Sequence, residues 1–174
     1  MAKSIASSEN SPISAHSKEP VSIQATRFIE WSDTLIVGVA ALDEQHKLLV
    51  AMLNEISEGI NGGWGKDART DVLAKLVEYT LVHFATEEDL MQLVHYPDEG
   101  AHKAYHQNLI ETVQNYIKKY DEDPNASNYD LLFFLKKWLI EHILKNDKRL
   151  GRVHKIASGA WSRWGRRWRK PGSW

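Results

Sequence analysis

A chain of 174 residues, 43% hydrophobic and 26% charged, has the length and composition of one soluble domain with a sizeable core. It contains no cysteine, which excludes disulfides, thiolate nucleophiles, iron–sulfur clusters and cysteine-based zinc sites, so any metal must be held by nitrogen and oxygen. No apolar run reaches about 18 residues and the N-terminal stretch MAKSIASSENSPISAHSKEP has no continuous apolar segment, so the expected address is the cytoplasm, without membrane span or secretory signal.

Residues 1–26, rich in Ser, Pro and Asn and without periodicity, read as a polar, disordered arm. A bundle domain is expected over residues 27–152. In its first helix, LDEQHKLLVAMLNEISEGI, residues Leu42, Leu49, Met52, Leu53, Ile56 and Ile60 keep helical spacing, and Asp43 is placed as an N-cap or first-turn residue. NGGWGK breaks that helix. A second, from about Ala68 to Val94, carries the stripe Leu73, Leu76, Thr80, His83, Glu87, Met91 and Val94, and stops before Pro97. A third, about Glu99 to Tyr120, repeats the seam at His102, His106, Leu109, Val113 and Ile117. The fourth, about Tyr129 to Leu150, aligns Leu131, Leu135, Trp138 and His142 beside Leu132, Leu139 and Ile143. No strand pattern competes. Four amphipathic helices of about 20 residues joined by short loops predict an all-α, up-down-up-down antiparallel four-helix bundle.

Every helix puts histidine on its inward face: His46, His83, His102 with His106, and His142. Glu87 and Asp147 accompany them. Any one buried histidine is ordinarily a satisfied core residue, but five in one layer with two carboxylates would hydrate and loosen a core unless a cation organised them. Seven side chains exceed what tetrahedral zinc needs, whereas two six-coordinate ions offer twelve positions. If both carboxylates bridge and a bridging oxygen is added, eleven are filled and one is left for a small ligand such as dioxygen. The mixed imidazole and carboxylate set favours iron, and ligand type alone also accommodates manganese. His142 and Asp147 are five residues apart, which on a regular helix separates them by about 140°. Either the helix widens into a π turn or Asp147 reaches around from another face near the helix end. Taken alone, Asp147 is better read as a solvated partner of Lys148 or Arg149.

The elements VGVAALDEQH, HFATEEDLM, HYPDEGAHKAYH and WLIEHILKND, in this order, resemble the hemerythrin family in its bacterial single-domain form, over about residues 28–150. The resemblance implies a four-helix bundle around two non-haem irons joined by an oxo or hydroxo bridge. It implies that His102, His106 and His142 bind one iron and His46 and His83 the other, with Glu87 and Asp147 bridging. Reversible dioxygen binding, for carriage, storage or delivery, is the implied function, with dioxygen at the iron held by two histidines. Neutral imidazoles in place of the glutamates of oxygen-activating bundles fit that role. Leu109, Ile110, Leu139 and Ile143 stand near ligand positions, as a dry pocket or as plain core. An oxygen or redox sensor is the alternative, and a peroxidase-like or nitric-oxide-consuming enzyme comes third.

His16, His95 and His154 are expected in solvent, and Glu88 and Asp89 are read as surface acids. Asp43, three residues before His46, could orient that ring, though an N-cap role is the simpler reading. Trp138 is expected to pack under the histidine layer. Residues 153–174 form a basic, Trp-rich tail: the net charge of −1 conceals nine Lys/Arg and no acid over residues 148–174, against −10 for residues 1–147. Trp161, Trp164 and Trp168 have helical spacing between arginines, although Gly159 and Gly165 weaken a helix there. Residues 158–174 suit an anionic membrane surface or an acidic protein more than nucleic acid. A short frayed segment folded back on the acidic bundle is the plain alternative. A monomer is the expected state.

Overall fold

The computed structural model describes residues 27–122 and 128–168, with the side chains of residues 66, 67, 69, 120, 121, 128 and 161–168 outside that description. The expected N-terminal arm with His16 lies wholly outside the described residues, as does the last part of the tail. Among the described residues all regular structure is helical. The three- and four-residue apolar spacing produces α1 Ala40–Asn61, α2 Lys66–Leu93, α3 Glu99–Glu122 and α4 Asn128–His142. A five-residue π turn, Ile143–Asp147, follows α4 without interruption and leads into α5 Lys148–Trp168. The fourth helix of the bundle therefore continues far past Leu150, through the boundary drawn at 152. Gly159 and Gly165 do not stop it: each costs about 1 kcal/mol, but a helix growing from a formed one needs no new nucleus.

Helix α1 packs on α2 and α4, and α2 on α3. Rings join α3 to α4, with Tyr105 stacked on Trp138 and Tyr116 against Phe134. The result is an antiparallel four-helix bundle. Its core is built by the stripes read from the sequence, including Leu42, Leu49, Leu53, Leu76, Met91, Leu109, Val113, Leu131, Leu135 and Leu139. Ile117, near the end of α3, is the one member of its stripe left exposed.

The turns that aim the site have identifiable causes. Helix α2 ends because His95 adopts φ +51°, so that Tyr96 N–H reaches back to the Met91 carbonyl at 2.9 Å. His95 is thus an exposed capping residue, and Tyr96 is buried against the start of α3. At the other end of the chain, α5 lies so close to the N-terminal loop that a Cβ on Gly151 would strike the Val37 carbonyl. That loop is pinned by Asp43, whose carboxylate accepts the N–H groups of Val37 (2.7 Å) and Gly38 (3.1 Å). Asp43 is neither the N-cap of α1, which is Val39, nor a partner of His46. It sits one turn inside the helix and faces back to the loop, whose two donors are nearer than the ring.

Candidate di-metal centre

All seven residues read as candidates meet in one buried layer, each between 0 and 3% exposed. His46 comes from α1, His83 and Glu87 from successive turns of α2, His102 and His106 from successive turns of α3, His142 from the end of α4 and Asp147 from the end of the π turn. The π turn resolves the five-residue spacing: about 4.4 residues per turn bring Asp147 back over His142, and its Oδ1 lies 3.0 Å from His142 Nε2.

Each carboxylate divides its two oxygens between two sets of rings. Glu87 turns Oε2 to His106 (3.0 Å), His142 (3.4 Å) and His102 (3.5 Å), and Oε1 to His83 (3.5 Å). Asp147 turns Oδ1 to His142 (3.0 Å) and His102 (3.3 Å), and Oδ2 to His46 (3.2 Å). Two groups of potential donors result, Glu87 with His102, His106 and His142, and His46 with His83, Glu87 and Asp147. Within each, the donor atoms lie within 4.8 Å of one another.

Hydrogen bonding does not account for this convergence. His46 Nε2, His83 Nε2, Glu87 Oε1 and both oxygens of Asp147 are buried without a hydrogen-bond partner, although His46 and Asp147 are close. In the other group the Nε2 atoms of His102 and His106 stand 3.4 and 3.3 Å from that of His142, so lone pairs face lone pairs unless protons or a cation intervene. An ion with bonds of about 2.1 Å sets neighbouring donors about 3 Å apart, which is the spacing observed. The residues fit a pair of cations.

Electrostatics agree. Burial opposes charge on His142, but Asp147 and Glu87 beside it win and raise its pKa to about 9. Burial is likewise outweighed at His102, which the same two carboxylates raise. His83 is lowered to about 4, because burial exceeds the attraction of Glu87. The carboxylates resist the upward push of burial through their imidazole neighbours: Glu87 is held well below its ordinary value and Asp147 at about 2. The metal-free centre thus keeps a proton on His142 at neutral pH.

Three further residues aim the rings from outside, and the sequence reading did not assign them that role. Gln45 Oε1 lies 3.0 Å from His83 Nδ1, and its amide nitrogen donates to Thr86 Oγ1 at 3.0 Å. Glu88, read as a surface acid, turns Oε1 to His106 Nδ1 at 3.3 Å, with Lys103 at 3.6 Å behind it. The Asn146 amide is 3.2 Å from His142 Nδ1, and a half-turn presents its oxygen to that ring's proton. Asn146 follows His142 by four residues, a spacing that could have revealed it. Gln45 and Glu88 reach rings 38 and 18 positions away, for which the sequence holds no local signal. Asp89 is exposed, as expected, and His154 is half-buried outside the layer. Flat rings fix the remaining freedom: Trp138 stacks on His142 (centroids 4.4 Å, 14°), as its position predicted, and Phe84 on His106 (3.7 Å, 3°). Removing an outer partner of a ligating imidazole costs typically 10–100-fold in metal affinity. Gln45→Ala and Glu88→Ala are therefore expected to retain the fold and lose cation to a competing chelator at concentrations about tenfold or more below wild type.

A four-helix bundle with a buried layer of five imidazoles and two shared carboxylates defines a di-metal protein of the non-haem class. The model of the hemerythrin HHE cation binding domain matches residues 37–153. The chain is 35% identical over 117 residues to a bacteriohemerythrin of Pseudomonas aeruginosa, covering 67% of this chain and 75% of that protein. It is 34% identical over 114 residues to a bacteriohemerythrin of Methylococcus capsulatus, covering 66% and 86%. A solved structure of wild-type hemerythrin superposes with TM-score 0.65 at 30% identity, over 73% of this chain and 98% of that one. The chain belongs to the hemerythrin family, whose members are non-haem di-iron proteins and generally bind oxygen.

Proposed function

We propose that the protein binds dioxygen reversibly at two non-haem irons, as a monomeric cytoplasmic carrier, store or donor rather than an enzyme. His102, His106 and His142 would hold one iron, His46 and His83 the other, and Glu87 and Asp147 would be shared, with an oxo or hydroxo bridge between the ions. The observation that carries this is the split of each carboxylate between the three-histidine and two-histidine groups, which leaves the latter with one imidazole fewer. When bound, the ion pair supplies a redox-active centre with a position for a small ligand. The chain supplies the rest. Five imidazoles against two carboxylates keep the centre less anionic than a carboxylate-rich one, which disfavours high oxidation states. Leu42, Met91, Ile143 and Leu150, all fully buried, flank ligand positions on their own helices and exclude water from the layer. Gln45, Glu88 and Asn146 hold the outward ring nitrogens, so that Nε2 faces inward.

His83→Ala is expected to remove the two-histidine site and abolish oxygen uptake, with iron falling from about two towards one per chain. His95→Ala, altering an exposed turn residue, is expected to leave both unchanged. Equal loss in the two variants, read by iron quantification and oxygen uptake, would overturn the assignment.

A second reading, an oxygen or redox sensor, is favoured by one feature: Asp147 closes the π turn and Lys148 opens α5. Any displacement of that carboxylate is passed directly to the helix that carries the basic tail.

A further inference from the structure

Helix α5 has no role in the centre beyond its first residues. The run from Asn128 to Trp168 is continuous, and at about 1.5 Å per residue it extends roughly 60 Å, against roughly 42 Å for α2. Its far half therefore outruns the bundle. Val153 and Ala157 still pack on the core, but Ile156, on the same side, is 71% exposed. In the sequence, Ala160, Trp161, Trp164 and Trp168 continue the same three- and four-residue spacing along α5. In that spacing Lys148, Lys155, Ser162 and Arg166 fall opposite these positions, and Arg152, Arg163 and Arg167 fall along one border. Arg149 is already paired with Asp98. No acid occurs anywhere from Lys148 to the C-terminus.

We propose that α5 is a surface-lying amphipathic helix that docks the bundle on an anionic lipid leaflet. Tryptophan stripes bordered by arginine match the interface of a bilayer, where indoles lie at headgroup depth and arginines reach lipid phosphates. The backbone of α5 runs as helix to Trp168, so the basic residues of the sequence from Arg163 to Arg167 are carried on one rigid rod. No helix among the described residues is long and apolar enough to cross a membrane, so α5 lies on the leaflet rather than through it. Three tryptophans at helical spacing in the sequence favour a lipid surface over nucleic acid, for which the basic residues alone would suffice.

The test uses the iron-loaded full chain, sedimented with vesicles of phosphatidylcholine alone or mixed with phosphatidylglycerol. It is expected to partition onto the anionic vesicles only, and less so as salt rises from about 0.05 to 0.5 M. Each cation at an anionic leaflet contributes about fivefold, so joint replacement of Arg163, Arg166 and Arg167 by glutamine is expected to lower the partition roughly a hundredfold. Ile156→Glu, at an already exposed position, is expected to weaken it with helicity and oxygen uptake intact. Equal binding to both vesicle types, no binding to either, or unaltered binding by these variants would overturn the proposal. Vesicle binding is read independently of iron, so failure of the docking and failure of the di-iron reading are separate results.

Discussion

Glu87→Ala is expected to reduce the metal content from about two ions per chain to fewer than one, a larger effect than removal of any single histidine. Each histidine belongs to one of the two donor groups, whereas Glu87 belongs to both. Its removal also leaves the buried imidazoles, His142 and His102 among them raised partly by Glu87 itself, with only Asp147 as counter-charge. Breaking a buried charge set from one side costs about 3–5 kcal/mol. The metal-free variant is therefore expected to melt well below the metal-free wild type. Glu87→Gln separates the causes, because it keeps the shape and loses the charge. Metal quantification with thermal unfolding of both variants reads the outcome, and retention of two tightly held ions by Glu87→Ala would rule out a shared role.

Loading the centre is expected to expel protons at neutral pH and to fail as pH falls. A cation needs neutral imidazoles, and in the metal-free chain His142 titrates at about 9 and His102 above its ordinary value. The proton on His142 must leave on loading at pH 7. Calorimetric titration in two buffers of different ionisation enthalpy should show release of at least one proton per loaded chain. The stability of the metal-free chain follows from the same groups. A histidine raised in the fold stabilises it fully below the unfolded value of 6.5 and loses that contribution as pH rises through about 9. His83, lowered to about 4, acts oppositely: its stabilising contribution is present above 6.5 and lost as pH falls through 4. The metal-free protein is thus expected to weaken on both sides of a window near pH 6–7, by an amount on the order of 3 kcal/mol at each end. A metal-free chain whose stability is flat from pH 4 to 9 would contradict this charge distribution.

The bundle was legible because hydrophobic period reports burial directly, and the seven candidates were legible because polar groups interrupt that period at matching depths. Asp147 shows where spacing stops helping. Five residues from His142 is compatible with a π turn or with a surface residue, and spacing alone does not choose between them; the structure has the π turn. Gln45 and Glu88 carry no periodic mark, since a half-buried position on a helix flank tolerates any polar residue. Of the two places read for Asp43, N-cap or first turn, it takes the first turn, and its carboxylate caps no N–H of its own helix. Here the loop 37–38 folds back within reach and takes both oxygens. The helix through Gly159 and Gly165 was underestimated because residue propensity speaks of isolated segments, while α5 inherits its first turns from the π turn and the bundle.

The most direct measurement is the ultraviolet–visible spectrum with iron quantification, taken on anaerobically reduced protein, after admission of air, and after removal of the oxygen. The proposed function predicts about two irons per chain and a charge-transfer band that appears with oxygen and disappears without it. Two irons with a band that does not reverse would contradict reversible carriage, and a chain that takes up no iron would contradict the di-iron reading itself.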